Sequence, residues 1–349
     1  MKSKLGLWLL IIPLLLVGCK TKTNKGGIPA ARRIDHKKPL SWGQGHNIYA
    51  FADAQVWKYA EVPLRNSIER YFYTTENESL FELKKADYNA LDQFYKFRNL
   101  IFLGHLESND EVSKFLQESL VDSAIEELKV NKVGMYVRQN LWANDQIVIF
   151  LLGVDEESLL KYNMLQAGDI FEHFRKVYYE RAKDKVYGFD VYPKTFFNDY
   201  PWEIKMPKDY VVYKNEVEKR YLSFISRKKD KPDMYVTVYF EDMELDEVSY
   251  NWAMETRIRL AWEVYDEDEI SRENTRSERV TFGQRNVVKL SGKWQNSKYA
   301  VGGAFQSFAF YDEKSKRAYL VDNSVFFPEG YKLPALIELE IVSRTIEVN

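Results

Sequence analysis

The chain has 349 residues, 45% of them apolar and 29% charged, with a formal net charge of −2. Such a composition excludes a disordered, collagenous or polytopic membrane protein and leaves room for two domains. The near-neutral balance gives no electrostatic footprint for nucleic acid. The single cysteine, Cys19, excludes an intramolecular disulfide and a thiolate metal cluster.

The first element in the chain is an address. Lys2 and Lys4 precede an almost wholly apolar run from Leu5 to Val17, which is shorter than the ~20 residues a membrane-spanning helix needs. A charged start, a short apolar middle and a small residue at the exit predict a secretory signal over residues 1–18. The exit itself, Leu16-Val17-Gly18-Cys19, resembles the bacterial lipobox. That resemblance implies cleavage before Cys19, palmitate-type diacylation of its sulfur and acylation of its new amino group. Three acyl chains exceed the two signals that stable attachment requires. An uncleaved anchor or a chance cysteine is the alternative. Lys20 stands where aspartate often marks inner-membrane retention, so a lipoprotein of the outer membrane is expected. No acidic cluster follows the cysteine, which favours a periplasm-facing over a surface-exposed position. Residues 19–40 are rich in Lys, Arg, Thr, Asn and Gly and read as a flexible tether.

Beyond the tether, strand and helix patterns alternate, predicting an α/β domain over residues 41–190. Asn47–Ala52 is a short apolar strand ending at the corner residue Asp53. Pro63 is expected to open a helix carrying Leu64, Ile68 and Phe72. Asn99–Leu106 is a second strand, followed by one helix with Val112, Leu116, Leu120 and Leu128. Gln146–Gly153 is a third strand. Asp155 then starts a long helix whose stripe runs Leu160, Met164, Ala167, Phe171, Phe174 and Tyr178. The aperiodic stretch Lys185–Pro201 places a seam near residue 190.

Residues 191–349 read as an α+β domain, an antiparallel sheet with helices. Tyr210–Tyr213, Tyr221–Ser226 and Met234–Glu241 are short strands, and Val248–Tyr265 is a helix. Ala304–Tyr311 and Arg317–Phe327 flank a turn, a strong hairpin signal, and Pro334 opens the last helix. The fold class is therefore α+β, with mixed and antiparallel sheets packed against helices in two halves. The order of elements resembles the fold shared by Mog1 and the photosystem-associated PsbP proteins.

Chemistry is harder to find in the chain. His36, His46, His105 and His173 lack the short helical spacing of a zinc site, so no metal and no cofactor is expected. Gly292-Lys293-Trp294 lacks the preceding glycine and the hydroxyl of a phosphate loop. Gly302-Gly303 reads as a bulge or a close backbone approach. The acidic runs Glu241–Glu247 and Asp266–Glu269 read as solvated helix flanks. An ion site or a pair of glycosidase carboxylates is the sharper alternative for them. Tyrosine, tryptophan and phenylalanine make up 15% of the chain, as core filling or as a surface that binds glycan or protein.

Several segments resemble an uncharacterised lipoprotein family of Bacteroidota, the domain of unknown function 4837. They are Ala50-Phe51-Ala52-Asp53 with Trp57, Phe97–Ile101, Trp142–Phe150, and Gly302–Phe305 running through Asp312–Val325 into the final helix. The resemblance implies lipid attachment at Cys19, an envelope location and an α+β architecture. No activity follows from it, and hence no catalytic, cofactor-binding or metal residue. The expected function is a membrane-anchored, non-catalytic protein that binds or scaffolds an envelope protein or glycan. A hydrolase of envelope glycan or peptide using paired carboxylates stays open beside it, as does a ligand carrier with an apolar cavity.

Overall fold

A computed structural model describes residues 35–244 and 248–349. They divide into two units: residues 35–70 with Phe81–Tyr178, and Tyr71–Leu80 with Tyr179–Asn349.

In chain order the first part of the sequence forms β1 (Asn47–Ala52), α1 (Ala54–Ile68), a hairpin of β2 (Tyr71–Tyr73) and β3 (Asn77–Ser79), and β4 (Glu82–Lys85). After these come α2 (Leu91–Phe94), β5 (Asn99–His105), α3 (Glu111–Glu118), α4 (Asp122–Asn131), β6 (Val133–Gln139), β7 (Ile147–Gly153), α5 (Glu156–Leu165) and α6 (Ala167–Val186). The sheet of the first unit has the order β4-β1-β5-β7-β6, parallel except for β6. Continuous aliphatic runs suit a parallel sheet covered on both faces, and Leu100–Leu103 and Ile147–Leu152 are buried throughout. Phe51, Phe102 and Phe150 stand opposite one another on β1, β5 and β7. Their rings stack at centroid distances of 4.8 and 5.3 Å, each pair adding about 0.5–1.5 kcal/mol beyond its burial. A strand slip would turn this ladder to the opposite face, so the rings also set register.

Three helix expectations are corrected here. Pro63 lies inside α1 rather than opening it, and Phe72 belongs to β2. The helix begins at the Asp53 corner, and the ring at Pro63 costs it one backbone hydrogen bond. The single helix expected around Val112–Leu128 is two, α3 and α4. Ser119 donates its hydroxyl to the Phe115 carbonyl at 2.6 Å, ending α3 in a way serines favour. The long stripe from Leu160 to Tyr178 is interrupted at Gln166, between α5 and α6; α5 buries Leu159 and Asn163 and leaves Met164 outward, while α6 buries Phe171 and Phe174. Asp155 does cap α5, accepting from the Ser158 amide at 2.7 Å. Within the expected tether, Asn144 accepts from the Asp35 amide and donates to the Asp35 and Lys38 carbonyls, each at 2.9 Å.

The second part forms β8 (Trp202–Glu203), β9 (Val211–Glu216), β10 (Tyr221–Ser226), β11 (Asp233–Asp242) and α7 (Tyr250–Val264). It continues with β12 (Glu269–Ile270), β13 (Arg276–Phe282), β14 (Arg285–Asn296), β15 (Val301–Asp312), β16 (Arg317–Phe326), α8 (Leu333–Ser343) and β17 (Glu347–Val348). An antiparallel sheet of eight strands runs β12-β14-β15-β16-β11-β10-β9, with β13 beside β14. The predicted β15–β16 hairpin is present, its turn closed by Asp312 accepting from the Ser315 amide and hydroxyl at 2.9 Å. Helix α7 covers the face to which Asp322 points. Helix α8 covers the face of the next residue, Asn323, which accepts from the Ser343 hydroxyl at 2.9 Å. The strand at Arg276–Phe282 was not foreseen, because its charged side chains are mostly exposed and hide the period of two.

The β2–β3 hairpin groups with the second unit although its sequence lies within the first domain expected. Glu78 explains the attachment. Its carboxylate is 1% exposed and accepts from the Lys332 and Leu333 amides at 3.0 and 2.7 Å, and from the Thr74 hydroxyl at 2.7 Å. It thus satisfies amides at the positive end of α8, which no local side chain caps.

Candidate functional site

In open parallel sheets, ligands sit outside the carboxyl ends of strands where the strand order reverses. In the first unit that point lies between β1 and β5. It is filled from within. Asp53 follows β1, and its carboxylate accepts from the Val112 and Ser113 amides at 2.9 and 3.0 Å and from the Ser113 hydroxyl at 2.6 Å. The amino end of α3, a natural seat for a phosphate or carboxylate, is occupied by the protein's own acid.

The second unit holds its charge deeper. Ser223, Thr237, Asp322 and Ser307 face one another across β10, β11, β16 and β15 and make a polar row through an otherwise apolar sheet. Asp322 accepts from the Ser307 hydroxyl at 2.6 Å and from the Tyr265 hydroxyl at 2.9 Å. Tyr265 lies 2.6 Å from the Thr237 hydroxyl, which lies 2.7 Å from that of Ser223. An ionised carboxylate only accepts, so the donors run in one direction, Ser223 to Thr237 to Tyr265 to Asp322. Arg257 of α7, 0% exposed, ion-pairs with the acid, its Nε 2.7 Å from Asp322 Oδ1 but not aligned for a hydrogen bond. Its guanidinium carbon sits 4.6 Å from the Phe305 ring centre and 5.2 Å from that of Tyr265. Burial pushes the Asp322 carboxyl upward while Arg257 pulls it back, and burial drives the Tyr265 phenol well above its usual range. With every oxygen of the acid engaged, this is an internal tie rather than an open reaction centre.

The open feature of the second unit is a groove of about 500 Å³ lined by Thr75, Glu269, Ser271, Asn274, Lys293 and Gln295, with Ile270 and Trp294. It lies over Gly302 and Gly303 at the start of β15. A Cβ on Gly303 would stand 2.0 Å from the Val325 carbonyl oxygen and 2.7 Å from the Trp294 ring. The close-approach reading of this pair therefore holds, although the pair lies inside the strand. Gly302 is closely approached as well, since a Cβ there would stand 2.9 Å from the Trp294 carbonyl oxygen. Glu269 accepts from the Gln295 side chain at 2.8 Å, and that hydrogen bond, with one from Ser297, holds its carboxyl below the usual range. The preceding acid behaves in the opposite way. Burial pushes Asp268 up to about 6, and its Oδ1 accepts from the Asn296 side chain at 2.9 Å instead of lining the groove. An acid that lines the groove is thus ionised at neutral pH and suited to accept hydrogen bonds, not to donate a proton.

The other residues singled out from sequence fall into place around these features. Cys19, the signal and the Leu245–Glu247 part of the acidic run lie outside the described residues. Glu241 is taken by the Trp252 indole and the Tyr239 hydroxyl, Asp242 by Arg220 and Arg317, and Asp266 by Lys214 and Tyr213. No group of three or more His, Cys, Asp or Glu able to hold a metal occurs among the described residues. Burial lowers the imidazoles of His46 and His173. Trp57, Trp142, Trp202 and Trp294 are buried, and Trp262 is exposed. Sequence reasoning missed Arg257 and Asp322. A charged residue in an apolar strand and another in a helix were the available signal, but in strand and helix patterns each looks like an outward residue.

Comparison with known proteins places two families on the chain. Residues 41–187 match a domain of unknown function, DUF8532, and residues 192–345 match another, DUF4837. The second half therefore carries the DUF4837 domain. The segments at Ala50–Asp53 with Trp57, Phe97–Ile101 and Trp142–Phe150, which entered the resemblance, fall in the span of the other family. No curated protein matches the chain. Among solved structures, the Saccharomyces cerevisiae Ran-binding protein Mog1p is 12% identical, with 42% of this chain and 90% of that chain covered at a TM-score of 0.30. A point mutant of Mog1 gives 11% identity with the same coverage and TM-score. LpqN of Mycobacterium tuberculosis, described as involved in cell envelope biogenesis, is 9% identical over 42% of this chain and 83% of that chain, at a TM-score of 0.27. Likenesses of this size carry no argument about function.

Proposed function

We propose that the protein is a lipid-anchored, non-catalytic binding protein of a bacterial outer membrane, facing the periplasm, and that the groove of the second unit takes a polyhydroxylated envelope component such as a glycan. The groove wall carries the reading. Planar amides, hydroxyls, a lysine and an ionised carboxylate surround bare strand backbone, a set that offers both donors and acceptors to sugar hydroxyls. The state of the acids favours binding over hydrolysis. A glycosidase needs a proton donor and a second carboxylate across the cleft. Here Glu269 is held low, and Asp268 is bonded to Asn296. The anchor rests on Cys19 and the lipobox-like exit before it.

Co-sedimentation with purified peptidoglycan sacculi tests the ligand. The intact chain is expected in the pellet, and Asn274→Ala with Gln295→Ala is expected to move it to the supernatant. An intact chain that stays in solution sinks the glycan reading. Fractionation of cells tests the anchor separately: Cys19→Ala should release the protein from membranes, and continued attachment rules the lipid out.

A further inference from the structure

We infer that the first unit carries a second, independent site, a groove between the end of α1 and the α5–α6 junction that takes the apolar carboxyl terminus of a peptide. The groove is about 530 Å³. Its rim includes Val62, Met164 and Leu165, which are 65%, 67% and 72% exposed. Large aliphatic side chains clustered in water mark an interaction surface more often than isolated ones do. Helix α5 buries Leu159 and Asn163, which leaves Met164 outward from the stripe its spacing suggested.

Asn163 supplies the second observation. It lines the same groove, is 1% exposed, and neither Oδ1 nor Nδ2 has a hydrogen-bond partner among the described residues. Buried amides are nearly always paired in folded proteins. A carboxamide presents one acceptor and a donor pair side by side, the complement of a peptide group's N–H and C=O. Reaching it requires the rim to yield, and Met164, with its unbranched side chain, can swing aside.

Charge completes the match. Arg70 lines the groove beside Gly168, its Nη2 only 3.0 Å from where a Cβ of that glycine would stand, in the first turn of the 20-residue α6. The guanidinium lies 4.3 Å over the Phe171 ring, and its Nε donates to the Ser67 carbonyl at 2.8 Å. A cation fixed at the positive end of a helix makes a seat for a carboxylate. Asp169 in that first turn, and Glu172 at 4.0 Å from Arg70 Nη1, offset part of the charge. Even so, the five N–H donors of the arginine outnumber its partners. A peptide terminus uses all three features at once: carboxylate on Arg70, last amide on Asn163, apolar side chains on the rim. A fatty acid would leave Asn163 unpaired.

The test titrates the isotopically labelled full chain with acetyl-trileucine, its carboxamide and octanoate, followed by NMR at the Asn163 side-chain amide. The free acid should shift that resonance and bind about tenfold tighter than the carboxamide, the difference one charge-assisted pair makes. Arg70→Met should erase the difference between the two peptides. Asn163→Leu, followed at the backbone amides of Met164 and Leu165, should weaken both and raise the melting temperature. Equal binding of acid and carboxamide, binding of octanoate as tight as the peptide, or no response of the wild-type chain at millimolar peptide would each overturn the inference. The glycan reading concerns other residues and survives or fails apart from it.

Discussion

In the first unit, β5 and β7 bury Leu100–Leu103 and Ile147–Leu152 without a polar side chain, whereas in the second unit the strands under α7 carry Ser223, Thr237, Asp322 and Ser307 in one row. One sheet is held in register by stacked phenylalanines, the other by a directed chain of hydrogen bonds ending on a carboxylate that is ion-paired with an arginine. The two differ in how they fail. An apolar layer loses stability in proportion to the volume removed, while a buried ionic network loses most when one partner is left alone. They also share a device. A carboxylate far away in sequence seals a helix's amino end in each, Asp53 on α3 and Glu78 on α8.

The largest expected effect separates the two sheets. Asp322→Ala should cost about 3–5 kcal/mol by stranding Arg257. The double change Arg257→Met with Asp322→Leu should recover most of that, since apolar replacement of a buried pair is often neutral or better. In the first unit Phe102→Ala should cost a similar ~3–5 kcal/mol, with no partner substitution to rescue it. Urea unfolding of these variants decides the matter, and a double variant no better than Asp322→Ala would erase the contrast.

Next in size are the remote caps. Asp53→Ala and Glu78→Ala should each cost about 1.5–3 kcal/mol, the usual worth of hydrogen bonds to a charged group. Hydrogen exchange should quicken at Val112 and Ser113 for the first and at Lys332 and Leu333 for the second. Unchanged protection at those amides would show that the two acids are not caps.

The smallest effect concerns Asp268, whose carboxyl burial raises from 3.8 to about 6. A raised acid favours folding while protonated, so its contribution is complete below pH 3.8 and is lost as the pH rises through about 6. Asp268→Asn should therefore melt higher than wild type at pH 7 and level with it near pH 4. A gap that does not change with pH would place the cause elsewhere than in that carboxyl.

Strands β5, β7, β10 and β11 and the β15–β16 hairpin were legible in the chain, because long apolar runs and a polar turn leave few alternatives. Helix α7 was legible for a related reason, a one-sided stripe behind Ser249, which caps it through the Trp252 amide. Strands β13 and β14 and the break between α5 and α6 were not, since neither exposed charges nor an uninterrupted stripe signals them. The groove of the second unit was half legible. Gly302-Gly303 announced a close approach, but Thr75, Asn274 and Gln295 join it only through pairing and turns.

By itself, the sequence determined the α+β class and the apolar strands, because these depend on local composition and period. Tertiary structure alone decided that Tyr71–Leu80 belongs with the second unit, that Asp53 closes the strand crossover, and that Arg257 meets Asp322. Each of those depends on a charged group finding its partner 59 residues away or more, as Asp53 does at Val112 and Glu78 at Leu333, 255 residues on. Removing either group from water alone costs free energy, and the hydrogen bonds of the pairing are what offset that cost. No local pattern in the chain records which two will meet.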